Sequence, residues 1–401
     1  MPQELPTLAR HLAQSPSRPA SQTTGRPFDV CIRGGGITGR TLALLLARER
    51  LRVALVVQDT PPKGHSDVRA YALNAKSRQL LTSLRCWPAL EHATPVLAMQ
   101  VHGDTQGEVS FKALDTGAEA LAWIVDVPAL QAQLDQATQF QAQIDIIAAP
   151  EASQIPATLT VACEGHASQS REDWGVEFDL MPYSQRAIAT RLHISEPHQH
   201  NARQWFKSGE ILGVLPLEGN SVAIVWSVEA ERAGELMALD PTAFSQQLQI
   251  ASEGVYGEMA LCSERACWPL QLAQAKRWVG VQNGQSGQPW VLAGDAAHTV
   301  HPLSGQGLNL GLADVAELAD LIAKRDYWRS VADAKLLRQY ERSRKLEAAI
   351  LGTTTDGLQR LFAQPGNFWQ TLRNAGMSGF DGSGAVKHWV TRRAMGTSAG
   401  T

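Results

Sequence analysis

The run Phe28-Asp29-Val30-Cys31-Ile32 is short, apolar and β-prone, and it ends in glycines, which predicts a strand. Apolar residues then fill most positions from Ile37 to Arg50, with charge gathered at the end, as in a buried helix. Leu51 to Val57 alternates and is rich in β-branched residues, the pattern of a second strand. Strand, glycine-rich turn, helix and strand make a βαβ unit. Farther on, the pattern predicts helices over Ala75–Leu84 and Pro128–Phe140, the second opened by a proline at a favourable first-turn position. It also predicts a hairpin over Val96–Phe111, around Gly103 to Gly107, and a strand over Thr158–Cys163.

The middle of the chain changes character. Val176–Leu180, Gln185–Ile194, Ala202–Lys207, Ile211–Pro216 and Ser221–Val228 are short strand-like runs between turn residues, which predicts an antiparallel sheet. Helices follow near Glu229–Ala238 and Pro241–Ala251. Trp290–Ala293 is another apolar strand stopped by a glycine, and helices are expected over Gly307–Lys324, Ala332–Phe362 and Asn367–Ala375. In the first of these, Asp314 and Glu317 fall on a different face from Leu318 and Leu321, as in a half-buried helix with a solvated side. The fold class expected is α/β: a Rossmann-like βαβ domain with an inserted antiparallel-sheet domain and C-terminal helices. Residues 28–95 with 124–165 and 285–330 would form the first domain, and 96–123 with 166–284 the second. Residues 331–401 would be a C-terminal helical region with a basic tail. Residues 1–27, rich in Pro, Ser, Gln and Thr, read as a mobile tail with a short helix at Leu5–Leu12.

Composition narrows the classes. With 36 Lys+Arg against 39 Asp+Glu in 401 residues, the formal charge is 36 − 39 = −3, which does not suggest a binder of nucleic-acid backbones. No run of about 18 uncharged apolar residues is present, so a spanning helix is not expected. Five cysteines, odd in number and with no CxxC pair, argue against a disulfide framework and for a reducing compartment. The tail lacks the apolar centre of a signal peptide.

Two motifs carry chemistry. Gly34-Gly35-Gly36-Ile37-Thr38-Gly39 fits G-x-G-x-x-G between a strand and a helix. In that pattern Gly34 serves the tight turn, Gly36 lets backbone approach a pyrophosphate, and Gly39 lets the helix pack close on the strand. The helix start at Ile37 adds N–H groups and a positive dipole end. An acid is expected at the end of the second strand to take ribose hydroxyls. Val57 occupies that position, so Gln58 or Asp59 would have to substitute from the loop.

The second motif is the stretch from Leu292 to Gly311. A strand ends at Gly294, where Asp295 could bond a sugar or ribityl hydroxyl. The loop from Pro302 to Gly307 then opens a helix whose N–H groups again face something electron-rich. Two such helix starts suggest one long ligand. His298 and His301 lack a third ligand at metal spacing, and no G-x-S-x-G supports a serine hydrolase.

The stretch from Gly294 to Gly311 resembles the signature of flavin-dependent aromatic hydroxylases. Within it, GDAAHTVHPLSGQGLNLGLADVAEL is similar to the ubiquinone-biosynthesis branch. SDVRAYALN at Ser66–Asn74, YSQRAIATRL at Tyr183–Leu192 and YERSRKLEAAILGTTTDGLQRLF at Tyr340–Phe362 support that branch. The resemblance implies FAD cradled by the Gly34–Gly39 turn (Gly34, Gly35, Gly36, Ile37, Thr38, Gly39), with Arg69 on the phosphate or flavin side. It implies Asp295 on the ribityl chain and Pro302 lining the ring where oxygen reacts. Gly305, Gln306 and Gly307 would present N–H groups to the ring's pyrimidine edge, with Leu308 and Asn309 also in the cofactor site.

It further implies NAD(P)H as a transient co-substrate and O2 as the oxidant. The substrate would be a phenolic ring, of the prenylated kind made in quinone biosynthesis. Departures lie on the adenosine or flavin-entry side: Val57 for the strand-end acid, Glu164 before Gly165 and Arg171 for the family's usual Asp, and Val127-Pro128 where an arginine is common. A non-catalytic member of a quinone-biosynthesis assembly and another flavin oxidoreductase of this fold remain as alternative readings. A prenylated substrate would place a cytoplasmic protein against the inner membrane without crossing it. Leu358, Leu361, Phe362, Trp369 and Leu372, with the basic stretch from Lys387 to Arg393, are the candidate contact.

Overall fold

The computed structural model describes residues 27–58, 68–103, 107–149, 155–207, 209–282, 287–299, 306–363 and 383. The expected helices at Leu5–Leu12 and Asn367–Ala375 and the basic tail lie outside these residues. The chain opens with β1 (Phe28–Arg33), α1 (Ile37–Arg48) and β2 (Val53–Val57). It continues through β3 (Ala70–Leu73), α2 (Ala75–Ser83), β4 (Ala93–Val96), β5 (Ala98–His102), β6 (Glu108–Lys112) and β7 (Ala122–Asp126). After these come α3 (Val127–Gln139), β8 (Ile144–Ala148), β9 (Ala157–Ala162) and α4 (Gln169–Asp173).

The middle contains β10 (Phe178–Ile194), β11 (Asn201–Lys207), β12 (Glu210–Pro216), β13 (Ser221–Glu229), α5 (Ala230–Ala238), α6 (Pro241–Ala251), β14 (Met259–Leu261) and β15 (Ala266–Ala275). The chain then forms β16 (Val279–Val281), β17 (Pro289–Leu292), β18 (His298–Thr299), α7 (Gly307–Ala323) and α8 (Ala334–Ala363).

One sheet runs β16-β17-β9-β1-β2-β8, parallel except for β16. The chain moves outward from β1 through β2 to β8, then crosses to the other side of β1 with β9 and β17. The crevice at the carboxyl ends of β1 and β9 is therefore a topological switch point, where open α/β sheets bind ligands. These strands are covered on both faces. Val30, Ile32, Leu55 and Val161 join Leu42 of α1 and Val315 of α7 in the main core, while Cys31, Ala54 and Val56 fill a smaller one. That is why they read as continuous apolar runs.

The second sheet runs β18-β15-β10-β13-β12-β11-β5-β6, with β14 also on β10. One face packs under α5 and α6 through Ile188, Trp226, Leu236, Phe244 and Leu248. A small sheet, β3-β7-β4, links the two.

Three expectations need correction. The runs at 176–180 and 185–194 belong to one strand, β10. Its apparent turn is a bulge, with the three residues between Pro182 and Arg186 facing one on β15, at a proline that has no N–H for the ladder. The first helix ends at Arg48, because Arg50 turns left-handed at φ 59°. The short strands β16 and β18 cross the expected domain boundaries: β16 pairs with β17 in the parallel sheet and β18 with β15 in the antiparallel one. No helix among the described residues is long and apolar enough to cross a membrane.

Candidate functional site: a glycine-walled cleft at the strand ends

The turn after β1 is built by exclusion. Gly34 has φ 112°, and a Cβ there would stand 2.2 Å from the Cys163 carbonyl oxygen after β9. A Cβ on Gly39 would stand 1.9 Å from the Gly34 oxygen, so any larger residue would push α1 off the turn. Gly36 is the opposite case: it is exposed, and a Cβ there would meet nothing within 4 Å among the described residues. It is also the N-cap of α1, a helix with no side-chain cap and no acid in its first turn. An open wall of backbone therefore meets an uncapped, positively polarised helix start.

Val57 lies over this loop, with its Cγ1 2.5 Å from where a Gly35 Cβ would be. It contributes packing at the position where an acid was expected. Gln58 is exposed beside it. The Gly35 carbonyl accepts from Arg40 Nε at 2.8 Å and Gln131 Nε2 at 3.1 Å. Arg40 in turn pairs with Asp135 at 2.5 Å and donates to Thr138 Oγ1 at 2.8 Å. The helix that starts Val127-Pro128 thus braces the glycine turn through Gln131. Sequence reading missed this brace, because a polar residue one turn into an amphipathic helix carries no distinguishing pattern.

The second motif docks on the first through Thr38. A Cβ on Gly311 would stand 3.1 Å from Thr38 Oγ1 and 3.3 Å from the Gly294 Cα, and one on Gly294 would stand 3.3 Å from Thr38 Cγ2. Behind this junction is a buried charge network. Asp314 is wholly buried: Oδ2 accepts from the Gly294 N–H at 2.9 Å and pairs with His298 Nε2 at 2.7 Å, and Oδ1 accepts from Arg344 Nε at 2.8 Å. Burial alone would raise this carboxyl, but the charges and hydrogen bonds of His298 and Arg344 outweigh it and hold it below its ordinary value. His298 also stacks on Trp278 at 4.9 Å. The solvated face expected for Asp314 is corrected accordingly.

Asp295 follows Gly294 and is open to solvent, yet surrounding protein raises its carboxyl, with His298, Arg69 and His166 opposing. A side chain both exposed and crowded by protein lines a concavity. Gln306 is the N-cap of α7, another helix with no side-chain cap, and Gly307 and Leu308 are half-buried in its first turn. The Asn309 side chain is turned inward: Oδ1 accepts from Asn74 N at 3.0 Å and Ser77 Oγ at 2.7 Å, and Nδ2 donates to Ala72 O at 2.8 Å. Arg69 is exposed, with its guanidinium 5.9 Å from the Tyr71 ring centroid. Asp59, His301, Pro302 and Gly305 lie outside the described residues.

One departure from the resemblance, Glu164, and the arginine that follows it, Arg171, have structural uses. Glu164 caps α4, accepting from Ser168 Oγ at 2.7 Å and Ser170 N at 2.9 Å. Arg171 is buried against Phe178 and donates to the His166 and Ala296 carbonyls at 2.9 and 3.2 Å, tying the turn after β9 to the second motif. His166 lies beside Gln271 of β15, where the two sheets meet, and burial followed by the Arg171 charge lowers its basicity.

The cleft thus offers an open glycine wall, two uncapped helix starts and a carboxylate, with Arg69 close enough for its charge to act on Asp295. This donor set suits a phosphate-bearing, polyhydroxylated cofactor, and Gly36 leaves its side of the turn open among the described residues. Residues 118–353 match the family described as FAD binding domain. A protein of Synechocystis is 29% identical over 371 residues, covering 86% of this chain and 87% of that one. A ubiquinone hydroxylase of Rhodospirillum rubrum is 27% identical, covering 96% and 93%. The 3-demethoxyubiquinol 3-hydroxylase of Escherichia coli is 25% identical, covering 93% and 100%. The crystal structure of a probable FAD-dependent monooxygenase from Pseudomonas aeruginosa superposes with TM-score 0.71 at 20% identity, covering 88% of this chain and 100% of that one.

Proposed function

The chain belongs to the FAD-binding domain family, and from that premise we propose that it is an FAD-dependent monooxygenase that hydroxylates a phenolic ring with NAD(P)H and O2, its substrate a polyprenyl phenol of ubiquinone biosynthesis. The substrate class rests on the hydroxylases named among its relatives. The observation that carries the cofactor reading is Gly36, an open, Cβ-free wall at an uncapped helix start on the switch-point edge of a parallel sheet.

FAD, held by these residues, would supply the redox chemistry of a monooxygenase, with NAD(P)H as reductant and O2 as oxidant, one oxygen atom ending in the ring hydroxyl and the other in water. The chain supplies position and field. The backbone of Gly34 to Gly36 and the first N–H groups of α1 would receive the pyrophosphate, with Gly39 holding the helix close and Ile37 and Thr38 fixing its first turn. Asp295 would accept from ribityl hydroxyls, and Arg69 would offset its charge. The α7 start at Gln306 and Gly307 would stabilise negative charge on the reduced ring. The β15–β18 edge, where Ala273 pairs with Thr299, brings the antiparallel sheet to the second motif, where it would shield a bound ring from water. NAD(P)H would dock transiently, since one G-x-G-x-x-G is present. A peripheral membrane contact through the C-terminal region would give access to a prenylated substrate.

The test is oxygen labelling. NAD(P)H oxidation should depend on an added prenylated phenol, and a single 18O atom from 18O2 should appear as a new ring hydroxyl. Oxidation indifferent to the phenol, or a product without label, would overturn the reading.

A further inference from the structure

Arg191 belongs to a segment whose sequence stood out and which the chemistry above does not use. It sits on β10, in the antiparallel sheet, and reaches across to Val68 and Arg69, the residues that lead into β3. Its Nε donates to the Val68 carbonyl at 3.2 Å, and its NH2 group donates to the Arg69 carbonyl at 3.2 Å and to Asp126 Oδ1 at 2.5 Å. Asp126 ends β7, opposite Ala70 in the β3–β7 ladder, so the charge that orients Arg191 is itself fixed by that ladder. The far end of the same segment is fastened by Asn309 of α7, through Ala72 O and Asn74 N. The chain from Val68 to Asn74 is thus strung between the antiparallel sheet at one end and the second glycine-rich motif at the other.

We infer that Arg191 is a positioning residue for the cofactor cleft: by holding the Val68 and Arg69 carbonyls from the antiparallel sheet, it presents the Arg69 side chain to the Asp295 end of the cleft. A guanidinium suits this task. Its donors are spread over separate nitrogens of a rigid plane, Nε toward Val68 and a terminal nitrogen toward Arg69 and Asp126, whereas an ammonium's three donors leave a single nitrogen. The inference rests on the reading that the cleft holds FAD. It adds that the antiparallel sheet, on the substrate side, sets part of the affinity for that cofactor from a position that does not touch it.

The experiment is a double-mutant cycle on FAD affinity, measured by fluorescence titration of the apoprotein with wild type, Arg69→Gln, Arg191→Gln and the double variant. Each single change is expected to weaken FAD by about ten-fold, the scale of one charge-assisted hydrogen bond. The double variant should be no weaker than either single one, because Arg191 acts through Arg69. A purely structural role would not produce that coupling. Arg191→Lys keeps a charge beside Asp126 but cannot span both carbonyls, and it serves if Arg191→Gln does not fold; it should show the same non-additivity. Additive losses, or an Arg191 variant with wild-type affinity while Arg69→Gln is weakened, would overturn the inference. Failure of the folded wild-type protein to bind FAD would instead overturn the reading on which it rests.

Discussion

The cleft edge of the parallel sheet and the face of the antiparallel sheet beneath α5 and α6 are held by different physics. At the cleft, buried polar groups fix backbone turns: Asp314 holds the Gly294 N–H, Arg40 and Gln131 hold the Gly35 carbonyl, and Arg171 holds those of His166 and Ala296. Beneath α5 and α6 the holding is apolar, by Ile188, Trp226, Phe244 and Leu248. The contrast teaches that where backbone itself is the binding surface, charge must be buried to keep it in place. Where a sheet serves as a wall, side-chain packing suffices.

The largest expected effect lies on the charged side of that comparison. Asp314→Ala should destabilise the fold by about 3–5 kcal/mol, because it leaves His298 buried without its partner and the buried Arg344 with only Glu347 and Glu317 to offset its charge, and it should also weaken FAD by freeing the Gly294 turn. Denaturant unfolding and FAD titration check the two effects. The carboxyl lies below its ordinary value in the folded state, so its contribution is present above the ordinary carboxylate range and is lost as pH falls through the depressed value. The Asp314→Asn variant should therefore lose less stability between neutral and strongly acidic pH than wild type does. Equal acid limbs would break the account of this network.

Phe244→Ala sharpens the comparison from the other side. Phe244 is fully buried under the antiparallel sheet, and its truncation should cost about 3–5 kcal/mol of stability. FAD affinity of the folded fraction should nevertheless stay within about two-fold of wild type, since the packing there touches no turn of the cleft. A large loss of FAD affinity would mean that the two regions are not independent in this way.

How legible each region was in the sequence follows from the same difference. The glycine turn could be read at residue level, because steric exclusion leaves no other residue for Gly34 or Gly39. Strand-like runs bounded by turn residues gave β11, β12 and β13 nearly to their ends. β3, β4 and β7 were not foreseen, because four- or five-residue strands, one with Pro95 on an edge, carry little periodicity. β15 was also missed, because Pro269 and two glutamines interrupt its pattern. Charged braces were hardest to read. Arg40, Arg171, Arg191 and Asp314 each act on a group distant in sequence, and nothing local distinguishes such a residue from a solvated one.

The smallest of these effects bears on the central claim, that the cleft at the ends of β1, β9 and β17 binds FAD through glycine backbone and one carboxylate. The measurement is the FAD dissociation constant of wild type and Asp295→Ala, by titration after dialysis, with folding of both checked by circular dichroism. Wild type should bind one FAD per chain. Asp295→Ala should remain folded and bind about ten- to a hundred-fold more weakly, the 1.5–3 kcal/mol scale of hydrogen bonds to a charged acceptor. A wild-type protein that takes up no FAD, or a folded Asp295→Ala variant with unchanged affinity, would contradict the account.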